Sequence, residues 1–117
     1  MEVRMASKYH AQPTTRLIGG ETVRFDSRRE AQRWDDLCWM QKAGKISDLR
    51  RQVRYELVPA LVKPDGKRTR PVEYVADFEY RKDGKTIVED AKGYRTREYQ
   101  LKKKLMLWRH GIEIQEV

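Results

Sequence analysis

Between Tyr74 and Lys92 the chain reads YVADFEYRKDGKTIVEDAK, two runs rich in β-branched and aromatic residues on either side of Asp83-Gly84. Asp-Gly between such runs is the strongest short signal for a tight hairpin, because a type I′ turn needs positive φ at both central positions. With Asp83 and Gly84 as the loop, Lys82 faces Lys85 and Asp77 stands opposite Asp90. Side chains alternate along a strand. One face therefore carries Val75, Asp77, Glu79, Val88, Asp90 and Lys92. The other carries Tyr74, Ala76, Phe78, Tyr80, Ile87, Glu89 and Ala91, and is expected to be the core face. Glu89 is its misfit: either it points to the rim or the turn is longer than two residues. The first face gathers three carboxylates and a lysine. Like charges directly opposed, about 4.5–5.5 Å apart at Cβ, destabilise a strand pair. Two readings stand: a solvated acidic face, or carboxylates that hold a divalent cation such as Mg²⁺, which takes hard oxygen ligands. The lysine two residues after Asp90, on the same face, favours the second.

A chain of 117 residues is long enough for one domain with a modest core. Hydrophobic and charged residues each make up 38%, so the core is expected to be thin and the protein soluble. No apolar run approaches the ~18 residues of a membrane span, and the N-terminal stretch lacks the apolar segment of a signal peptide. With Cys38 as the lone cysteine, an internal disulfide is impossible, which fits a reducing cytoplasm. The net charge of +8 points to a polyanionic partner.

Residues 1–25 read as a mildly basic, extended N-terminal arm carrying Arg4, Lys8, Arg16 and Arg24, with a short hairpin at Gly19-Gly20 as one option. Phe25 to Lys42 reads as a helix. Ser27 and Glu30 have capping-box spacing, Ala31, Trp34, Leu37 and Cys38 repeat at helical intervals, and Gly44 is the stop. Glu30 has two readings, a cap for Ser27 or an inward carboxylate near the hairpin's acidic face. Ile46 to Leu49 reads as a connector and Arg51 to Val58 as a strand, with Gln52 on its polar side. Residues 59–71, PALVKPDGKRTRP, form a basic loop, either phosphate-contacting or merely solvated. Thr96 is an N-cap for a helix ending before Gly111, with Leu101, Leu105 and Trp108 as its buried stripe. Between Lys92 and His110, Lys92, Arg95, Arg97, Lys102, Lys103, Lys104 and Arg109 face only Glu98 as an acid. Cations so close to an acidic face suit a site that holds metal and phosphate together. Ile112 to Val117 reads as a last strand, parallel to the one before the helix.

The order is α-β-β-β-α-β: an acid in the first helix, Asp77 in the second strand and Asp-x-Lys in the third. It resembles the PD-(D/E)XK nuclease superfamily and its restriction-endonuclease-like α/β fold with a mixed central sheet. The resemblance extends over nearly the whole chain: Lys8-Tyr9, Phe25-Asp26-Ser27-Arg28-Arg29-Glu30-Ala31, Arg51-Gln52, Ala76-Asp77-Phe78, Glu89-Asp90-Ala91-Lys92-Gly93, and Thr96 through Lys102-Lys103-Lys104-Leu105. These are similar to a family of small bacteriophage endonucleases, formerly a domain of unknown function. Ala76 stands where the superfamily pattern has proline.

The resemblance implies that Asp77, Asp90 and the Ala91 carbonyl hold Mg²⁺ or Mn²⁺, and that Lys92 orients the attacking water or neutralises charge on phosphorus. It implies that Glu30 binds the metal directly or through water, that Lys102 is a further site contact, and that Gln52 supports the site. The expected nuclease domain spans residues 26–117. Small basic members of the superfamily include homodimeric Holliday-junction resolvases, so branched or duplex DNA is the leading substrate, without sequence readout. The alternatives are a nicking endonuclease or exonuclease in phage recombination or packaging, and a catalytically idle DNA- or RNA-binding module.

Overall fold

The computed structural model describes residues 13–91 and 96–117. Within them the chain runs β1 (Thr14–Ile18), β2 (Glu21–Phe25), α1 (Arg28–Lys42), β3 (Ser47–Val58), β4 (Val72–Lys82), β5 (Lys85–Asp90), α2 (Arg97–His110) and β6 (Gln115–Glu116). β1 and β2 make a small antiparallel sheet, and the other strands form a mixed sheet in the order β3-β4-β5-β6. β6 lies parallel to β5, as a strand returning through a helix should.

Both hairpins turn in the same way. Gly19 and Gly20 have φ of 58° and 85°, and Asp83 and Gly84 have 52° and 77°. Positive φ at both central residues matches the right-handed twist of the strands they join. Lys82 pairs with Lys85 and Phe78 with Glu89, so the turn between β4 and β5 is two residues long and the register is the one Asp83-Gly84 predicts. Of the two options for this segment, the hairpin turning at Gly19-Gly20 is the one that forms, as β1–β2, and residues 1–12 lie outside the described ones. Phe25 ends β2, and Ser27 is still extended at φ −148°, so α1 begins at Arg28, three residues later than the pattern suggests. Ser27 Oγ accepts the Glu30 N–H at 3.1 Å, which is the N-cap half of the predicted box. Strand β3 begins at Ser47, and so absorbs most of the expected connector.

The core has two parts. Phe25, Ala31, Leu37, Ile46, Phe78, Tyr80 and Ala91 pack together, joined by the partly buried Trp34. The Trp34 ring lies 6.4 Å from Phe25 and stacks 6.0 Å from Phe78, which locks the first hairpin, α1 and β4 into one unit. Leu57, Tyr74, Ala76, Val88, Met106 and Ile114 form the second cluster, with Tyr99 and Leu105 at its edge. Here the predicted stripe on α2 is corrected. Leu101 and Trp108 are 58% and 75% exposed, and Met106 is the buried residue. Tyr99, Lys103 and Met106 make an i, i+4, i+7 line towards the sheet. Large apolar residues stand on both sides of this helix, so spacing alone could not choose which side packs. Thr96 accepts the Tyr99 N–H at its start, and Gly111 ends it at φ 69°.

Candidate functional site

Four carboxylates are buried: Glu30 (2% exposed), Asp77 (0%), Glu89 (1%) and Asp90 (5%). Carboxylates avoid this environment unless a partner holds them, so each one's surroundings matter.

Glu89 is held by α1 and β4. Arg33 Nε and Nη2 donate to its two oxygens at 2.8 and 2.7 Å, and the Tyr80 hydroxyl donates at 2.6 Å. Burial, followed by the bond to Glu89, pushes the Tyr80 hydroxyl up to about 12. The bond to Glu89 holds the Arg33 guanidinium well above its ordinary range. Glu89 therefore lies on the core face, where its register puts it, and not at the rim. Its charge is answered by an arginine from the neighbouring helix. The sequence holds no local signal for this, since Arg33 and Glu89 are 56 residues apart.

Two of the other three, Asp77 and Asp90, lie along one line across the sheet. Gln52 occupies the β3 position between the rungs Arg51↔Phe78 and Val53↔Ala76, alongside Asp77 on β4. One step past the last β4–β5 rung, Phe78↔Glu89, the register sets Asp77 across from Asp90. Asp90 in turn pairs with Glu116 on β6. The line thus reads Gln52, Asp77, Asp90, Glu116, one residue from each strand. Glu30 joins it from the first turn of α1, where Gln52 Nε2 donates to its Oε2 at 3.2 Å. Gln52 has φ 53°, a conformation costly for a residue with a side chain. That kink aims a β3 side chain at the helix terminus.

Beyond the last rung, the Ala91 N–H donates to Asp77 Oδ2 at 2.7 Å, so a carboxylate takes an amide that the ladder would otherwise hold. The Tyr74 hydroxyl donates to Asp90 Oδ2 at 2.8 Å. Burial, and then the charge of Asp90, push that hydroxyl well above the ordinary tyrosine range. A tyrosine that stays protonated is a permanent donor, and it fixes the orientation of Asp90. The expected Lys92 lies outside the described residues, next to Ala91.

Asp77 and Asp90, buried on adjacent strands, and the Ala91 carbonyl are hard oxygen donors of the kind a divalent cation takes, while Glu30 lies on α1 beside Gln52. Among the described residues, no group of three His, Cys, Asp or Glu side chains is arranged to hold a metal by itself. Mg²⁺ does not require one. It commonly binds through one or two carboxylates and completes its shell with water and substrate phosphate.

The cations are distributed differently from the pattern read in the sequence. Lys102 pairs with Glu98 at 3.1 Å on its own helix. Lys103 faces inward and pairs with Glu116 at 3.2 Å, while the Tyr99 hydroxyl bonds the same carboxylate at 2.8 Å. With Leu101, Leu105 and Trp108 buried, helical spacing would turn Lys103 most directly to solvent; the exposed one of the three lysines is Lys104. Arg16, expected on a basic arm, is bound to Asp35 of α1 through Nε and Nη2 at 2.9–3.1 Å. Cys38 is a half-buried thiol whose pKa is raised by burial and by Asp35, as befits a packing residue. Tyr74, Arg33, Tyr99 and Glu116 are the contributors that sequence reasoning missed. Only Tyr74 left a trace, as one more aromatic on the core face of β4.

No helix among the described residues is long and apolar enough to cross a membrane. Residues 6–115 match a protein family described as "Protein of unknown function (DUF1064)". No curated protein and no solved structure matches the chain.

Proposed function

The chain belongs to the DUF1064 family, and we propose that it is a metal-dependent DNA endonuclease with a PD-(D/E)XK-type site, acting on branched or duplex DNA in phage DNA metabolism, in the host cytoplasm. The observation that carries this reading is the buried line of Asp77 and Asp90, on adjacent strands in one register, with Glu30 brought to it by Gln52. Burying like charges opposite one another works against folding stability. A site that must collect a cation and a phosphate gives that arrangement a purpose.

In this mechanism Asp77, Asp90 and the Ala91 carbonyl are the groups that hold Mg²⁺ or Mn²⁺, with Glu30 as a further ligand, direct or through water. When bound, such an ion polarises the scissile phosphate and lowers the pKa of a coordinated water. Tyr74 keeps the Asp90 carboxylate in one orientation, and Gln52 does the same for Glu30. Lys92, two residues after Asp90, orients the attacking water or offsets charge developing on phosphorus. Lys102 shares its charge with Glu98. Its role as a site contact therefore requires that phosphate compete with that carboxylate. A second copy of the chain would supply the paired cuts that a four-way junction needs, which is why a homodimer belongs to this reading.

One feature favours the rival reading, an idle DNA- or RNA-binding module. Asp77 and Asp90 each accept a hydrogen bond from the protein itself, as purely structural carboxylates do. One experiment separates the two. The protein and its Asp77→Asn and Asp90→Asn variants are incubated with four-way-junction, duplex and single-stranded DNA in Mg²⁺, Mn²⁺ or EDTA. Cleavage by the parent alone, abolished by EDTA, with DNA binding retained in both variants, supports the enzyme. Intact DNA in micromolar enzyme and Mn²⁺ overturns it in favour of the binding module.

A further inference from the structure

The segment between β3 and β4 is not a slack loop. Val62 bridges Arg68 in antiparallel fashion. Lys63 N–H donates to the Lys67 carbonyl at 2.7 Å, Gly66 N–H to the Lys63 carbonyl at 2.8 Å, and Thr69 N–H to the Leu61 carbonyl at 2.8 Å. Leu61 N–H donates to Thr69 Oγ1 and Lys67 N–H to Asp65 Oδ1. Gly66, at φ 87°, closes the tip. One bridge and these hydrogen bonds fold residues 61–69 into a tight hairpin-like loop, and every residue from Leu61 to Val72 is exposed.

Its chemistry is one-sided. Lys63, Lys67, Arg68 and Arg70 are its cations, and Asp65, its one acid, is engaged in holding the turn. None of the four cations forms a salt bridge among the described residues. This contrasts with Arg16, Arg33, Arg50, Arg54, Lys102 and Lys103, which all do. Leu61 and Val62 add exposed apolar surface beside them. Four cations without an ion pair among the described residues, gathered with exposed apolar side chains on one hydrogen-bonded loop, make a surface suited to an outside polyanion.

We propose that residues 61–70 form a wing that enters a groove of duplex DNA and grips the phosphates on its rims. The major groove, about 12 Å wide, admits a two-stranded β-ribbon, and one strand pair is about 5 Å across at the backbone. The wing feeds directly into β4, which carries Asp77 five residues after Val72. At ~3.4 Å per residue this places its root ~17 Å from the carboxylate line, close to half a turn of duplex. The wing therefore holds the duplex about half a turn from the bond to be cut, which is a means of recognising a helical arm without reading its sequence. This inference rests on DNA being the substrate, and its test uses binding instead of cleavage.

The test measures affinity of full-length protein for a 24-base-pair duplex and for single strands of equal length, in EDTA, across a salt series. Asp77→Asn is compared with the same chain also carrying K63A, K67A and R68A. These wing residues are exposed, and an unchanged melting temperature verifies the fold. Loss of three phosphate contacts lowers the log–log salt slope by about 2.7 units, on the order of 10²-fold in affinity near 0.1 M salt. The expected result is that loss for duplex, with a smaller one for single strands. An equal loss on both forms overturns the groove assignment, and an unchanged duplex affinity or slope overturns the wing altogether. If the unsubstituted chain cleaves DNA while the wing variants bind normally, the wing fails and the nuclease reading stands. If it cleaves nothing yet duplex binding depends on the wing, the reverse holds.

Discussion

Replacing Arg33 by methionine removes the arginine that answers Glu89. The carboxylate would keep only the Tyr80 hydroxyl, in a site where it is 1% exposed. Removing one partner of a buried ion pair costs about 3–5 kcal/mol, because the other charge remains buried and uncompensated. The Arg33 side chain is itself 28% exposed, so water can reach part of the vacated space, and the low end, about 3 kcal/mol, is expected. Unfolding entropy of about 2 cal/mol/K per residue gives a 117-residue chain about 0.25 kcal/mol/K. The melting temperature should then fall by ~12 °C. Calorimetry or circular dichroism at neutral pH measures it directly. The physical cause is tested by the double variant Arg33→Met/Glu89→Met. Exchanging a whole buried pair for apolar residues of similar volume is often nearly neutral. The double variant should therefore be more stable than Arg33→Met alone. If Arg33→Met costs under about 1 kcal/mol, or if the double variant is the less stable of the two, the pair does not act as described.

Three further outcomes follow from the geometry. Gln52→Asn keeps a residue type tolerant of positive φ but shortens the reach to Glu30; melting should shift by no more than a few degrees while DNA cleavage falls at least tenfold, and Glu30→Gln, which leaves the Ser27 cap intact because the backbone N–H makes that bond, should lose cleavage by orders of magnitude while staying folded. Full turnover in either variant would return Glu30 to a structural role. The Tyr80 hydroxyl titrates near 12 when folded and near 10 when unfolded, so its raised pKa contributes stability that is complete below pH 10 and is lost as pH rises from 10 to about 12; Tyr80→Phe should show a smaller drop in melting temperature between pH 8 and pH 11 than the parent, and an equal drop would refute the assignment. Lys104→Ala should reduce the salt slope of DNA binding by about one unit, whereas Lys103→Ala, whose charge already meets Glu116, should reduce it by clearly less.

The hairpin was legible in the sequence because its causes are local. Asp83-Gly84 demands a particular turn, the turn sets the register, and the register alone puts Asp77 across from Asp90. The caps and stops Ser27, Thr96, Gly44 and Gly111 were legible for the same reason, since they act on their own backbone, although the start of α1 was read three residues early. What surrounds the carboxylates was decided by packing. Arg33 reaches Glu89 across 56 residues of chain, and Tyr74 meets Asp90 only once the β4–β5 ladder has formed. Gln52 finds Glu30 because α1 folds back beside β3. α2 shows the limit most plainly: Leu101 and Trp108 have the spacing of a buried stripe, yet Tyr99, Lys103 and Met106 face the sheet. With apolar residues on both sides of the helix, the local free energies of the two orientations nearly cancel, and the choice falls to contacts such as Lys103 and Tyr99 with Glu116, which exist only once β6 has docked against β5.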